Sequence, residues 1–174
     1  MDFTLKTYRS LLDILMNTGY SFQTFTDFIK NPEEKSVILR HDVDKRPLNS
    51  LKFAQIQHEL GISGTYYFRC ISKSYDEKII KEISKMNHEI GYHYEEMDLC
   101  NGDIDAAIEL FQNNIEKLRR ICPINSICMH GSPRSKYDNK HIWSKYSYKD
   151  YRIVGEPYFD LNFNKIGYLT DTGR

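Results

Sequence analysis

The stretch "VILRHDVDK", residues 37–45, begins like a buried β-strand and ends in charge. Its first three residues are apolar, and five of the last six are charged or ionisable. In folds with parallel strands, functional side chains gather at the carboxyl ends of the strands. We therefore expect a strand over residues 36–42 that presents Asp42 and Asp44 to a functional site.

Predicted helices alternate with predicted strands along the chain. The periodicity and the turn residues predict helices at 4–17, 24–31, 47–60, 75–87 and 103–121, and strands at 36–42, 64–69, 89–94, 125–131, 152–155 and 166–170. This alternation predicts an α/β fold with a parallel sheet and right-handed crossovers, either open or closed into a barrel.

Composition restricts the classes of function. The chain has 174 residues and a formal net charge of zero, which suits one domain and gives no support for a nucleic-acid or anionic-membrane partner. No apolar run approaches the roughly 20 residues of a membrane span. The first residues lack the pattern of a secretory signal, and the four cysteines form no C-x-x-C pair. We therefore expect reduced thiols in a cytoplasmic protein.

Three predicted strands end in groups that could act together. The first ends at Asp42 and Asp44, the third at His93 and the fourth at His130. If Asp44, His93 and His130 converge, they give one oxygen and two nitrogen donors, a common catalytic zinc shell with an open position for water. Asp42 and Asp44 share strand parity, so one carboxylate could bind the metal while the other stays free as a base. Individually, an aspartate at a strand end is more often a turn or cap residue, and histidines such as His58 are more often structural.

The same motifs resemble a known family. "ILRHDVD", "ELGISGTYYF", "HEIGYHYEE" and "ICMHGSP" occur in the order and approximate spacing of the polysaccharide deacetylase (NodB-homology) family, carbohydrate esterase family 4. The branch with an R-H-D-V-D motif is the most similar, and "YLTDTGR" at 168–174 looks like a later segment of that branch. The resemblance covers residues 35–174. It implies a distorted (β/α) barrel, incomplete at its carboxyl end because family domains are usually longer, with residues 1–34 forming a helical segment packed on the barrel.

The resemblance also implies an activity. Similar family members use a divalent metal, often zinc, to hydrolyse the N-acetyl group of an amino sugar, so a carbohydrate is the expected partner. Carried over to this chain, Asp42 is the general base and Asp44 and His93 are metal ligands. Arg40, His41, Tyr94, Ser132 and Pro133 are the expected substrate contacts.

Two departures from the family pattern leave alternatives open. The second family motif is H-x-x-x-H, but the residue four positions after His93 is Met97. His130 could supply the missing ligand, or else orient Asp42, and Glu95, Glu96 and Asp98 rank lower as ligands. In addition, the family uses a late histidine as an acid, and no histidine follows His141 here.

These departures keep two other functions in view. The chain could be a catalytically degenerate relative that binds carbohydrate, or a hydrolase of another non-peptide carbon–nitrogen bond. The aromatic segment 132–160, which includes Trp143 and Tyr158, is expected either to form a sugar-facing wall or to pack on the outside of the barrel.

Overall fold

The computed structural model describes residues 4–131 and 135–170. Its α-helices are α1 (Leu5–Asn17), α2 (Phe25–Lys30), α3 (Pro47–Glu59), α4 (Glu77–Lys85), α5 (Glu96–Leu99), α6 (Ile104–Arg119) and α7 (Pro157–Asp160). Its strands are β1 (Ser21–Gln23), β2 (Ser36–Ile38), β3 (Arg40–Val43), β4 (Thr65–Phe68), β5 (Glu89–Tyr94) and β6 (Ile127–Met129). Two 3₁₀ helices follow β6, at Asn139–Ser144 and Tyr148–Tyr151.

The strands form a mixed α/β fold around a curled parallel sheet. β3, β4, β5 and β6 pair in that order, all parallel, and β1 pairs with β2 in a separate parallel pair. The four-stranded sheet curves into a half-barrel. Helices connect successive strands of the sheet, as parallel pairing requires, so all four strands end at the same edge.

The stretch that opens the sheet differs from its predicted form. The single strand expected over 36–42 is two strands that meet at Leu39, because β2 pairs with β1 whereas β3 pairs with β4. The carbonyl of Leu39 accepts a hydrogen bond from the backbone N–H of Thr65 at 2.8 Å, which begins the second pairing. The break thus passes the chain from one sheet to the other without a turn.

The main hydrophobic core lies on the outer face of the sheet, beneath the helices. Large apolar side chains of β4 and β5 point outward there and are fully or almost fully buried: Tyr66, Phe68, Ile90, Tyr92 and Tyr94. They pack against the apolar faces of α3, α4 and α6, which contribute Ala54, Ile80, Ile83, Phe111 and Ile115. Burial of such side chains stabilises the fold by roughly 1.5–3 kcal/mol each.

The N-terminal segment adds a second, smaller core. Tyr8 and Leu12 of α1 are buried against Ile62 and the apolar residues of α3, including Phe53 and Ile56. The segment expected to be helical also contains β1, a strand of only three residues that the sequence pattern did not indicate. Its pairing with β2 joins residues 21–23 to the rest of the fold.

The inner face of the half-barrel is polar. At its amino-terminal end, the carboxylate of Glu89 on β5 accepts hydrogen bonds from the hydroxyls of Thr65 on β4 (2.9 Å) and Ser126 beside β6 (2.5 Å). It also accepts the backbone N–H (3.0 Å) and the hydroxyl (2.5 Å) of Thr26 in the first turn of α2. This cluster, which we call the Glu89 clamp, ties α2 to three strands.

Two predicted strands are wrong. Residues 152–155 follow the second 3₁₀ helix and form only an isolated parallel bridge between Ser126 and Gly155, and residues 166–170 form no strand. In the first of these segments Ile153 packs into the main core instead, and in the second Tyr168 and Leu169 are exposed. Among the described residues, none of the helices is long and apolar enough to cross a membrane.

Candidate metal centre

The parallel register brings the three predicted strand ends to one edge of the sheet. His93 and Cys128 are directly paired across β5 and β6, and the backbone N–H of His130 donates to the carbonyl of Tyr94 at 2.8 Å. Asp42 on β3 points to the same inner face, two strands away from His93. Side chains separated by 86 positions in sequence, those of Asp44 and His130, therefore meet there.

Asp44, His93 and His130 form a compact grouping. Oδ1 of Asp44 lies 3.1 Å from Nδ1 of His130 and 3.6 Å from Nε2 of His93. The two imidazole nitrogens are 3.3 Å apart. These atoms are spaced as the donors of one small cation are, because donors about 2.0–2.2 Å from a shared ion lie roughly 3–3.5 Å from one another.

His93 is oriented as a metal ligand usually is. The side chain is buried, and its Nδ1 lies 2.9 Å from the backbone carbonyl oxygen of Cys128, to which it can only donate. A neutral imidazole that donates from one nitrogen presents a lone pair on the other. The carbonyl of Cys128 therefore directs the lone pair of Nε2 towards Asp44 and His130, an outer-sphere contact typical of metal sites.

Asp44 supplies a further sign that the grouping fits a cation. Oδ1 is buried, although half of the side chain is exposed, and no hydrogen-bond donor of good geometry reaches it from the described residues. A buried carboxylate oxygen without a donor is costly. The adjacent imidazole of His130 lowers the pKa of Asp44 below its ordinary value despite partial burial, and His93 acts in the same direction. An ionised oxygen facing two imidazoles suits a divalent ion.

Asp42 is held differently, by Arg40 two residues before it on β3. The guanidinium donates two hydrogen bonds to the carboxylate, Nε at 2.9 Å and NH2 at 2.6 Å. Burial opposes ionisation of Asp42, but these bonds and the charges of His93 and Arg40 outweigh it, so the pKa of Asp42 is lowered. Oδ2 of Asp42 lies 3.9 Å from Nε2 of His93. Arg40, and not His130, is thus the residue that orients Asp42.

The lower-ranked third ligands are engaged elsewhere. Glu95 forms a paired ion bridge with Arg69, Glu96 accepts from Tyr92 and Asn114, and Asp98 accepts from Asn139. Met97 is buried in α5 and offers only a thioether, a poor ligand for zinc beside oxygen and nitrogen donors. Among the alternatives, His130 is the group that the structure brings to Asp44 and His93.

The expected substrate contacts divide into three sets. Arg40 is occupied by Asp42, although its NH2 also donates to the hydroxyl of Tyr158 at 3.1 Å. His41 points to the opposite face of β3, where it stacks on Tyr66 with ring centroids 4.4 Å apart. Tyr94 also faces away from the site and is fully buried. As placed, His41 and Tyr94 do not face the site, because neighbouring strand residues alternate between faces. Ser132 and Pro133 lie outside the described residues.

A cleft of about 530 Å³ lies beside α5 and the first 3₁₀ helix. Met97 of α5 lines one part of the cleft. The rest is lined by aromatic, charged and polar side chains of the segment after β6: Lys136, Tyr137, Asp138, Lys140, His141, Trp143, Ser144 and Phe159. Lys140 Nζ lies 5.5 Å from the ring centroid of Tyr158, the residue that contacts Arg40. The aromatic segment thus contributes both to the core and to the surface. Trp143 packs edge-on against Phe111 of the core, with ring centroids 5.0 Å apart, whereas Phe159 is half exposed.

Two residues have roles at the site that the sequence did not assign to them. Arg40 shares strand parity with Asp42, so spacing places both side chains on one face but does not show that they form hydrogen bonds. Cys128 shares parity with His130 and faces inward, where it forms a second grouping of ligand atoms with Asp42 and His93. No feature of the sequence predicted Cys128 as a ligand, because a cysteine without a C-x-x-C partner is ordinarily an inert buried thiol.

No family model matches the chain, and no curated protein is significantly similar to it. What the chain does must therefore be argued from the site itself.

Proposed function

We propose that this protein is a metal-dependent hydrolase that removes the N-acetyl group from an amino-sugar-containing carbohydrate, with zinc as the ion. One observation carries the proposal. Asp44, His93 and His130 converge within 3.6 Å of one another at the carboxyl edge of a parallel sheet, beside a second, ionised carboxylate. Resemblance of the R-H-D-V-D and H-E-I-G-Y-H motifs to polysaccharide deacetylases supports the choice of substrate and a distorted (β/α) barrel.

The residues have distinct roles in this proposal. Asp44, His93 and His130 would hold the ion, which when bound supplies a Lewis acid and an activated water. Asp42 accepts the proton of the attacking water at Oδ2, and Arg40 keeps that carboxylate ionised and fixed before the reaction. Folding already orders the carboxylate of Asp42, so its side chain needs little reorganisation when water attacks the substrate.

The cleft beside α5, which none of the candidate metal ligands lines, and the cysteines support a carbohydrate substrate in the cytoplasm. The cleft beside α5 is open and lined by aromatic faces and hydrogen-bonding groups, a combination that suits the apolar and hydroxyl faces of a sugar. Free thiols are a feature of reducing compartments, and all four cysteines are unpaired in the structure.

The first test measures bound metal. His93→Ala should abolish binding of one zinc ion per chain, because it removes the buried ligand that the carbonyl of Cys128 orients. His58→Ala is the matched control, since His58 is exposed on α3 and should leave zinc content unchanged. Elemental analysis after dialysis against limiting zinc measures both. Equal zinc content in the two variants would refute the site.

The second test separates the two aspartates. Asp42→Asn should retain zinc and lower acetate release from acetylated amino sugars by at least about 100-fold, the usual cost of losing a general base. Asp44→Asn should lose zinc as well as activity. If the Asp42→Asn protein releases acetate at the wild-type rate, Asp42 is not the base. If it loses zinc while Asp44→Asn keeps it, the two roles are exchanged.

A second candidate function is carbohydrate binding without turnover. The observation that favours it is Met97, which stands where the second family motif places a metal-binding histidine. Zinc and sugar binding without acetate release would support this candidate.

Release of ammonia or another amine from a small amide, but not of acetate from a sugar, would indicate a hydrolase of a different carbon–nitrogen bond.

A further inference from the structure

We infer that the site contains a second, overlapping metal set, formed by Asp42, His93 and the thiol of Cys128, which takes thiophilic ions such as Cd²⁺, Hg²⁺ or Cu⁺. One ligand atom from each of these residues lies within 4.8 Å of the other two. The set offers one oxygen, one nitrogen and one sulfur donor, whereas the grouping of Asp44, His93 and His130 offers no sulfur. Soft ions select thiolate ligands over a shell of oxygen and nitrogen alone.

The strand pairing explains why Cys128 belongs to the site. Cys128 is paired directly with His93 across β5 and β6, and its backbone carbonyl fixes the ring of His93. Its side chain is fully buried on the inner face, below the edge where His130 emerges two residues later. One residue thus orients His93 through its carbonyl and offers a further ligand through its sulfur.

The two sets exclude each other. His93 has a single free ring nitrogen, because Nδ1 is engaged by the carbonyl of Cys128, and both sets require Nε2. One lone pair binds one ion, so the centre holds an ion either in the upper set with Asp44 and His130 or in the lower set with Asp42 and Cys128.

Occupation of the lower set changes the chemistry of the site. When a thiophilic divalent ion binds, the S–H bond of Cys128 breaks, a sulfur–metal bond forms and the proton passes to solvent, with no change of oxidation state. The ion also engages the carboxylate of Asp42, which can then no longer accept a proton. Under the proposed function, on which this consequence alone rests, thiophilic ions are therefore inhibitors and not replacements for zinc.

Cadmium provides the experiment. Titration of the wild-type protein with Cd²⁺ should produce a thiolate-to-cadmium charge-transfer band in the ultraviolet that saturates at one ion per chain. Cys128→Ser should lose the band and lower the ratio of cadmium to zinc affinity by at least about tenfold. His130→Ala should keep the band, because His130 belongs only to the upper set. Cys122→Ser is the matched control, since Cys122 is buried away from the site beside the helices, and should also keep it.

A measurement on the wild-type protein guards against a variant that fails to fold. With ¹¹³Cd bound, the NMR resonance should lie in the downfield region of thiolate-ligated cadmium; a resonance typical of oxygen and nitrogen ligands alone would overturn the inference. So would a charge-transfer band that persists in folded Cys128→Ser protein. Failure of the proposed function looks different: a normal cadmium band in a protein with no zinc-dependent hydrolysis supports the lower set and contradicts the hydrolase.

Discussion

His41 and Asp42 are neighbours in sequence and occupy opposite environments. Asp42 faces the polar inner side of the sheet, where Arg40 holds it ionised. His41 faces outward, between the ring of Tyr66 and the side chains of Gln57 and Tyr8. Burial, with a smaller effect of His88, lowers the pKa of His41 to about 4. A single step along the strand therefore separates a permanently charged group from a permanently neutral one at physiological pH.

This neutrality predicts an acid-sensitive contribution to stability. The folded-state pKa of His41 lies below the ordinary value of 6.5, so its contribution is fully present above pH 6.5 and is lost as the pH falls towards 4. The loss is at most roughly 3 kcal/mol. His41→Phe, which keeps a ring on Tyr66 but cannot be protonated, should show a smaller fall in the free energy of unfolding between pH 7 and pH 4.5, as measured with urea.

The control for His41 is another histidine of the same chain. His58→Gln changes an exposed side chain and should leave the pH dependence of unfolding as it is in the wild type. If His41→Phe loses as much stability on acidification as His58→Gln does, protonation of His41 does not oppose folding.

At the scale of elements, the Glu89 clamp decides how the N-terminal segment attaches. It gathers donors from α2, from β4 and from the residue before β6 on one carboxylate, at the end of the strands opposite the candidate metal ligands. Glu89→Ala should lower the free energy of unfolding by roughly 2–4 kcal/mol, because it leaves several donors of the inner face without an acceptor. Urea unfolding measures this, and amide exchange at Phe25 and Thr26 should become faster.

The exposed Glu116 on α6 serves as the control for Glu89. Its ion pair with Arg119 lies on the surface, so Glu116→Ala should change stability by no more than about 0.5 kcal/mol. Zinc affinity should be similar in both variants. A Glu89→Ala protein as stable as Glu116→Ala would show that α2 is held by apolar contacts alone.

The elements that the sequence predicted well are those with a strong local period. α4, α6 and β5 lie within two residues of their predicted limits, because amphipathic stripes and a run of buried strand residues are encoded locally. The break at Leu39 and the strand β1 depend on pairing between distant segments, which no local pattern contains. The strand predicted at 152–155 forms only the bridge between Ser126 and Gly155, because Ile153 packs into the main core after a 3₁₀ helix, a context that a short apolar run does not reveal.

The candidate site shows the same division. Strand parity and the shared edge of a parallel sheet were enough to predict that Asp42, Asp44, His93 and His130 would meet. They could not predict that Arg40 turns back onto Asp42, because the rotamer of a long side chain depends on its neighbours. Nor could they show that Glu95 is taken by Arg69, a contact that removes it from competition for the metal.

At the scale of the whole molecule, the ligands join β3, β5 and β6, so an ion that binds them should stabilise the complete fold. Zinc at about 100 times its dissociation constant should raise the free energy of unfolding by roughly 2.7 kcal/mol. Trp143, the single tryptophan, packs against the core and can report unfolding by its fluorescence. The midpoint should rise with zinc in the wild type and in His58→Ala but not in His93→Ala. An identical shift in all three would place the ion elsewhere.

The turn around Asn101 and Gly102, between α5 and α6, gives this arrangement a consequence for engineering. Both residues adopt positive φ at the surface between two helices. A chain cut at that turn would carry Asp44 and His93 on one piece and His130 on the other. Metal binding would then join the two fragments, and the fragments would associate or dissociate according to the concentration of free zinc.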